Sequence, residues 1–486
     1  MQLAELLKDW PCIVKGSVRE QVFGVEDFAQ NVKQGYLFVM RRGKHFDGKQ
    51  FLQQALNNGA CAVVTEDESL LDSKLSVPII WVPNSLQFLS FASAKLHNFP
   101  AEALTVIAIT GTNGKTTVSH FISQLLQSLG KNCIVVGTNG VFFNGEKFHQ
   151  TYESLTTLQA KQIHEIFQLA VRQGAQYAIL EASSMGLANY RLDDCAIDVG
   201  IYLNLSPEHI EDHGSLEQYK KAKQRLATLA GQIVINGDDT FCRSVGLVVK
   251  KKSLIFGTKG RVDLHWQLLT EGDGFSTCCI QYKGKEHIIV LPFVGDFQRQ
   301  NAMAALSTMY ALDLDIEQCI AKLASLYLPE GRMQEIENDL GLRIVIDYAH
   351  TPVALKAVLQ SLQHQKLHVV FSCGGERDVE KRKKMGTIAS TYAHKVYLTT
   401  DNARSESPAK INAQIKEGFY SGQLYEEIED RAQAIEAAIR QAEKGDTVLI
   451  AGKGHERTQT IGSTISQFSD VDCVKNLLNS AFNNEK

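Results

Sequence analysis

The chain has 486 residues, 44% hydrophobic and 21% charged, within the range of ordinary globular proteins and too long for one compact core. Its 50 Lys and Arg nearly balance 54 Asp and Glu, for a formal net charge of −4 without long blocks of like charge, which argues against a nucleic-acid or membrane-surface role. The 10 cysteines form no CxxC pair, and runs such as Cys61-Ala62-Val63-Val64 and Cys133-Ile134-Val135-Val136 read as free buried thiols of a reducing, cytoplasmic setting. No apolar run approaches the ~18 residues of a membrane span. The opening MQLAELLKDW reads as a short amphipathic helix and not as a signal.

Up to about residue 100, short apolar strands at 36–39, 60–64 and 79–82 accompany a helical stretch at 50–58, a small α/β unit closed by Asn98-Phe99-Pro100. From Thr105 the pattern is a strand at 106–109, a glycine turn at Gly111 and a helix at 118–129, then strands at 134–136, 177–180, 199–202 and 233–235. Strands alternating with helices mean a mostly parallel sheet covered on both faces. Residues 252–295 alternate and carry hairpin-like turns, so antiparallel strands are expected, with Cys278 and Cys279 on opposite faces. After Glu330-Gly331-Arg332 a second βαβ series has strands at 344–346, 369–371, 396–398 and 448–450. Each ends in a polar or glycine-bearing loop, where open α/β sheets bind ligands, and the catalytic site is expected between two such loop edges.

The most informative segment is Gly111-Thr112-Asn113-Gly114-Lys115-Thr116-Thr117, placed between a buried strand and a helix. Such a turn offers backbone N–H groups and a helix N-terminus to phosphate oxygens, with Lys115 reaching the outer phosphates and Thr116 able to hold Mg²⁺. The generic P-loop spacing fails, because the position five residues before Gly114 is Ile109. Glu181 ends an apolar strand and offers a hard oxygen ligand at the same loop edge. His209 and His213 form H-x-x-x-H, but Ile210 stands where a zinc protease needs glutamate. Lys223 reads, from its residues alone, as a solvated helix charge.

The short loop G-T-N-G-K-T-T resembles that of the Mur ligase family, ATP-dependent amino-acid ligases of peptidoglycan precursor synthesis that include folylpolyglutamate synthase as a relative. The resemblance spans essentially the whole chain and is nearest to the branch that adds the third peptide residue. It implies an α/β protein of three domains: residues 1–100 for the UDP-bearing acceptor, 101–330 as a P-loop-type ATPase with a mostly parallel sheet, and 331–486 as a Rossmann-like domain for the incoming amino acid. It further implies a monomer that uses ATP and Mg²⁺, with Lys115, Glu181, His209 and Lys223 in the catalytic apparatus. Thr116, Glu181, His209 and a carbamylated Lys223 would contact metal, while Asn301, Arg332 and Asp347 would contact the nucleotide base and ribose. Thr156, Thr157, Ser183, Ser184 and Arg191 fall at acceptor positions, with helix capping as an equal reading of the serines. Arg377, Asp401, Asn402, Arg404, Gly452 and Glu456 fall at positions for the amino acid. Arg404 and Arg377 suit a carboxylate and Glu456 a distal ammonium, which favours meso-diaminopimelate added to UDP-N-acetylmuramoyl-L-alanyl-D-glutamate.

The family pattern breaks where its D-S-R reads Phe28-Ala29-Gln30, its S-S-H-G reads Ser183-Ser184-Met185-Gly186, its H-T-P-D reads His350-Thr351-Pro352-Val353, and its D-N-P-R has Ala403 for proline. Two alternatives therefore stay open. One is the same chemistry on a carboxylate acceptor without UDP, and the other is a non-catalytic nucleotide-binding regulator.

Overall fold

Segments rich in Val, Ile and Ala, too apolar to leave either face in water, can be satisfied only in sheets covered on both sides. A computed structural model describes residues 1–41, 48–148, 152, 155–208, 210–249, 251–272, 274–363 and 365–483. By internal packing the chain divides into two units, one of residues 1–205, 214–263 and 304–319, the other of residues 206–213, 264–303 and 320–486.

In the first unit, strands β1 (Ile13–Lys15), β2 (Gly24–Glu26), β3 (Tyr36–Val39), β4 (Ala60–Thr65) and β5 (Ile79–Trp81) form a sheet ordered β1-β5-β4-β3-β2, parallel except for β1. Successive side chains feed opposite cores, Leu37 and Val39 one and Phe38 and Met40 the other, as a period of two requires. The same unit holds β6 (Thr105–Thr110), β7 (Cys133–Gly137), β8 (Gly140–Phe143), β9 (Glu146–Lys147), β10 (Tyr177–Glu181), β11 (Ile197–Tyr202), β12 (Gln232–Asn236) and β13 (Ser253–Gly257). Their order is β13-β12-β11-β6-β10-β7-β8-β9, with every pair from β13 to β7 parallel. The chain crosses from β10 over β6 to reach β11, so a topological switch point lies at β6.

Pairing corrects one expectation. Residues 253–257 join β12 in parallel, because helix Thr240–Val248 is a crossover that returns the chain in the same direction. The expected antiparallel strands begin in the second unit with β14 (Leu264–Glu271), β15 (Ser276–Tyr282) and β16 (Lys285–Leu291). In β15 Cys278 is buried and Cys279 half-buried, on opposite faces. The second unit also holds β17 (Gln334–Ile336), β18 (Arg343–Asp347), β19 (Leu367–Phe371), β20 (Lys395–Leu398), β21 (Leu424–Glu427), β22 (Thr447–Ala451) and the hairpin of β23 (Thr458–Ile461) with β24 (Thr464–Gln467). The sheet order is β17-β18-β22-β19-β20-β21, parallel except for β17. Among the described residues no helix is long and apolar enough to cross a membrane.

His164, on helix Ala160–Arg172, lies inside the core beneath the large sheet, edge-on to Phe167 at 6.2 Å. Neither ring nitrogen has a hydrogen-bond partner among the described residues, and desolvation holds the imidazole down at about 3. Its folded value thus lies below the unfolded one, so the unfolded chain takes up a proton first and stability falls as pH drops below about 6.5. Between pH 7.5 and 5.0 this group should cost about 2 kcal/mol. His164→Leu should remove that part of the acid sensitivity, read as the difference between urea-unfolding midpoints at the two pH values.

Candidate active site

β6 is bonded on both sides, so at Thr110 the chain must leave the sheet at its carboxyl edge. Gly111 to Gly114 carry it into helix Lys115–Ser128, with Gly114 left-handed at φ 90° immediately before the helix, where a side chain would be strained. Gly111 is tight as well, since a Cβ there would lie 2.9 Å from Leu203 Cβ. Asn204, just beyond β11, braces the turn. Its Oδ1 accepts from Asn113 N at 2.9 Å, its Nδ2 donates to Asn113 O at 3.1 Å, and its carbonyl accepts from Thr112 N at 3.1 Å. The Thr112 and Tyr219 hydroxyls meet at 3.0 Å. The result is a stiff cradle of backbone N–H groups at a helix start, suited to phosphate oxygens.

Two ammonium groups converge on the Gly111 carbonyl. Lys115 Nζ donates to it at 2.9 Å and to Thr112 O at 3.0 Å. Lys223 Nζ donates to it at 3.0 Å and to Thr110 Oγ1 at 3.4 Å, and sits 4.9 Å over the Tyr219 ring. Lys223 is only 2% exposed, which overturns its reading as a solvated charge. A buried ammonium demands carbonyl and ring partners, and it has them. Thr116 and Thr117 are buried in the first helical turn.

Glu181 ends β10 opposite Ile109 of β6 and is 1% exposed. Its Oε1 accepts from Thr138 N at 3.1 Å and its Oε2 from the Thr138 hydroxyl at 2.7 Å. Gly137 leaves room for it, since a Cβ there would fall 2.2 Å from Glu181 Oε1. Thr138 was not singled out from the sequence, where a threonine after Gly137 reads as a plain turn. Glu181 and the Thr116 hydroxyl are hard oxygen donors. Among the described residues no three His, Cys, Asp or Glu side chains gather into a metal-holding group. That donor set fits Mg²⁺, which keeps waters and phosphate oxygens around one or two carboxylates. His209 lies outside the described residues; His213 closes helix Ile210–His213.

The residues proposed for an acceptor gather around the end of β10 at Glu181. The Thr138 and Thr156 hydroxyl oxygens lie 3.2 Å apart, Thr157 Oγ1 donates to Glu181 O at 2.7 Å, and Ser183 N donates to Thr157 Oγ1 at 2.9 Å. Ser183 Oγ accepts from Gly186 N and caps helix Ser184–Ala188, so capping is its observed role; Ser184 is buried in that helix. Arg191 Nη1 donates to Thr157 O at 2.7 Å. In the bend after β2, Phe28 lies under Arg41 Cζ at 4.6 Å and Lys161 Nζ at 5.8 Å, while those cations pair with Asp27 at 3.1 Å and Glu26 at 2.5 Å.

In the second unit the loops after β18, β19, β20 and β22 carry most of the remaining residues, while Arg332 precedes β17 and Asn301 lies on helix Asp296–Ala311. Asp347 is buried and accepts from Met333 N at 2.8 Å and Ala349 N at 2.7 Å; burial pushes its carboxyl up while Arg332 pulls the other way. Arg332 stacks over Tyr348 at 4.6 Å, and Asn301 Nδ2 donates to Gln298 Oε1 at 3.0 Å on helix Asp296–Ala311. Arg404 is left-handed at φ 50° and donates from Nη1 to Gly375 O at 2.6 Å. A Cβ on Gly374 would lie 3.2 Å from Arg404 Nη1 and 3.8 Å from Arg377 Cγ, so both arginines pass this glycine. Arg382, buried in helix Glu380–Tyr392, clamps Glu406 at 2.8 and 2.9 Å and thereby ties the Arg404 loop down. Gly452 N donates to Asp347 O, and a Cβ on Gly452 would meet Asp401 Oδ2 at 2.8 Å. Asn402 Nδ2 donates to Glu456 Oε2 at 2.8 Å. Arg382 and Arg431 escaped the sequence reading, as did the burial of Lys453 within the Gly452–Glu456 turn, because lysines and arginines in polar stretches look solvated.

Comparison with known proteins bears on the same regions. The chain matches the models for the Mur ligase family catalytic domain at residues 29–96, the Mur ligase middle domain at 109–309 and the Mur ligase glutamate ligase domain at 331–454. It is 33% identical, over 98% of its length and 100% of the relative's, to UDP-N-acetylmuramoyl-L-alanyl-D-glutamate--2,6-diaminopimelate ligase 2 of Clostridium acetobutylicum. It is 35% identical to the Bradyrhizobium diazoefficiens 2,6-diaminopimelate ligase of the same type, covering 98% of each chain. A solved structure of such a ligase superposes with a TM-score of 0.69 at 33% identity, covering 99% of both chains. Likeness of this extent, in a chain whose β6 turn is built for phosphates, places the protein in the Mur ligase family of ATP-dependent ligases.

Proposed function

We propose that the chain adds meso-diaminopimelate to UDP-N-acetylmuramoyl-L-alanyl-D-glutamate in peptidoglycan precursor synthesis. The observation that carries this reading is the full-length match to relatives that bear this activity in their names. Residues 1–100 would hold the acceptor, 101–330 the nucleotide phosphates and 331–486 the amino acid. The acceptor carboxylate attacks the γ-phosphorus of ATP, the bond to the bridging oxygen breaks, and ADP leaves. The amine then attacks the acyl carbon, phosphate departs, and the amine proton goes to solvent. Positioning and charge neutralisation do most of the catalytic work in such transfers.

Lys115 exchanges its carbonyl partners for phosphate oxygens when the nucleotide enters. Mg²⁺ on Glu181 and Thr116 would offset phosphate charge. Carbamylation of Lys223 would put a carboxylate beside the phosphate turn, where the structure has a buried ammonium. Arg404 and Arg377 suit a distal carboxylate and Glu456 the neighbouring ammonium.

A second reading, an acceptor without UDP, is favoured by Phe28, whose ring is flanked by Arg41 and Lys161 in the segment expected to meet the uridine nucleotide. Calorimetric titration of the full-length protein with UDP decides it: saturable binding supports the first reading, and no heat supports the second.

Purified protein with ATP, Mg²⁺, the UDP-muramoyl dipeptide and meso-diaminopimelate should release phosphate; silence with every diamino acid would sink the first reading. Lys115→Ala should lower kcat by about 10²–10³ or more. Arg404→Ala should lower kcat/KM for diaminopimelate by about 10–150-fold, the loss of one charge-assisted hydrogen-bond set, with KM for ATP unchanged.

A further inference from the structure

Lys453 is fully buried in the turn after β22, although it stands beside the residues that face the amino acid. Its Nζ donates to Glu456 Oε2 at 2.8 Å, to Thr458 O at 2.8 Å and to Asn402 Oδ1 at 3.4 Å, which uses all three protons. Asn402 is oriented in turn, with Oδ1 accepting from Thr460 N at 3.0 Å and Nδ2 donating to the same Glu456 oxygen. Glu456 is therefore held through Oε2 and presents Oε1 outward from a side chain that is 29% exposed. The turn has little freedom, since a Cβ on Gly331 would come 2.1 Å from His455 N. Arg431, also buried, bonds Ala451 O at 3.0 Å and Asp470 through both oxygens, fixing the strand end that carries Lys453.

A carboxylate already paired with a buried ammonium is a poor partner for a bare alkylammonium. The incoming cation gains one oxygen and meets a like charge just behind it. A cation that brings its own carboxylate on the same carbon escapes this penalty, because that carboxylate reaches the arginines past Gly374 while the ammonium takes Glu456 Oε1. We propose that Lys453 is a specificity-determining positioning residue that makes the Glu456 site select an amino-acid head group, an ammonium and carboxylate on one carbon, over a lone terminal ammonium. The inference rests on the functional reading above and deepens it.

The test compares kcat/KM for meso-diaminopimelate and for L-lysine in the full-length enzyme and in Lys453→Met, Lys453→Arg and Asn402→Asp. Lys453→Met removes the hidden cation, and Asn402→Asp adds an anion beside it. Both change the cluster charge by the same amount through different chemistry, so the half-buried Asn402 variant carries the test where the core variant does not fold. Each should shift the lysine-to-diaminopimelate ratio at least tenfold toward lysine, while Lys453→Arg keeps the wild-type ratio. A purely structural role would lower both rates together, and a ratio within twofold of wild type in both charge-changing variants overturns the proposal. Failure of the wild-type enzyme to ligate either amino acid overturns the functional reading instead.

Discussion

The hydrogen bonding of β6 on both edges is the constraint from which the first unit's chemistry follows. A strand with parallel partners on each side has no freedom to bend within the sheet, so its exit is confined to the carboxyl edge. There the chain must reverse within a few residues to begin a covering helix, and only glycine at 111 and 114 permits the turn. Three further polar groups of that site are placed by neighbouring strand ends, Thr138 by β7, Glu181 by β10 and Asn204 by β11, while Tyr219 and Lys223 reach it from helix Leu216–Leu229. The cradle is thus a property of sheet order as much as of loop sequence.

The second unit solves a comparable problem with buried cations. Arg382, Arg431 and Lys453 lie wholly inside, each bound to a carboxylate and to a backbone carbonyl. Such pairs add little net stability, because desolvation consumes most of their attraction. Their effect is geometric. Each ties a loop to the helix, strand or hairpin beside it, so the half-buried Arg404 and Glu456 stand on braced backbone.

The strands that carry both sites were legible as apolar runs, since burial on two faces leaves no polar positions to blur them. What escaped the sequence reading follows the same physics in reverse. β21 reads Leu-Tyr-Glu-Glu and stands exposed at a sheet edge, so it lacks any run. β13 looked antiparallel because its neighbours in sequence are hairpins, while its direction is set by the helix before it. Lys223 in Lys-Lys-Ala-Lys and Arg382 in Glu-Lys-Arg-Lys-Lys hide among solvated charges, and only the helix face on which each falls puts it inside. The loop and Glu181 were legible as types with a chemistry; Thr138, which aims Glu181, was not, because its role depends on a residue 43 positions away.

The ten cysteines form no disulfide, and burial is the leading cause that raises every one of their thiols above the usual range, from the half-buried Cys12 to the enclosed Cys195 and Cys373. Six of these sulfurs, those of Cys133, Cys195, Cys242, Cys278, Cys319 and Cys373, are also buried away from reagents in the folded chain. Local opening restores an ordinary thiol to each, and they are spread over both units, in different strands, helices and loops. An alkylating reagent added to the native protein would therefore act as a stopwatch, with the lag at each sulfur recording how often its own part of the molecule breathes.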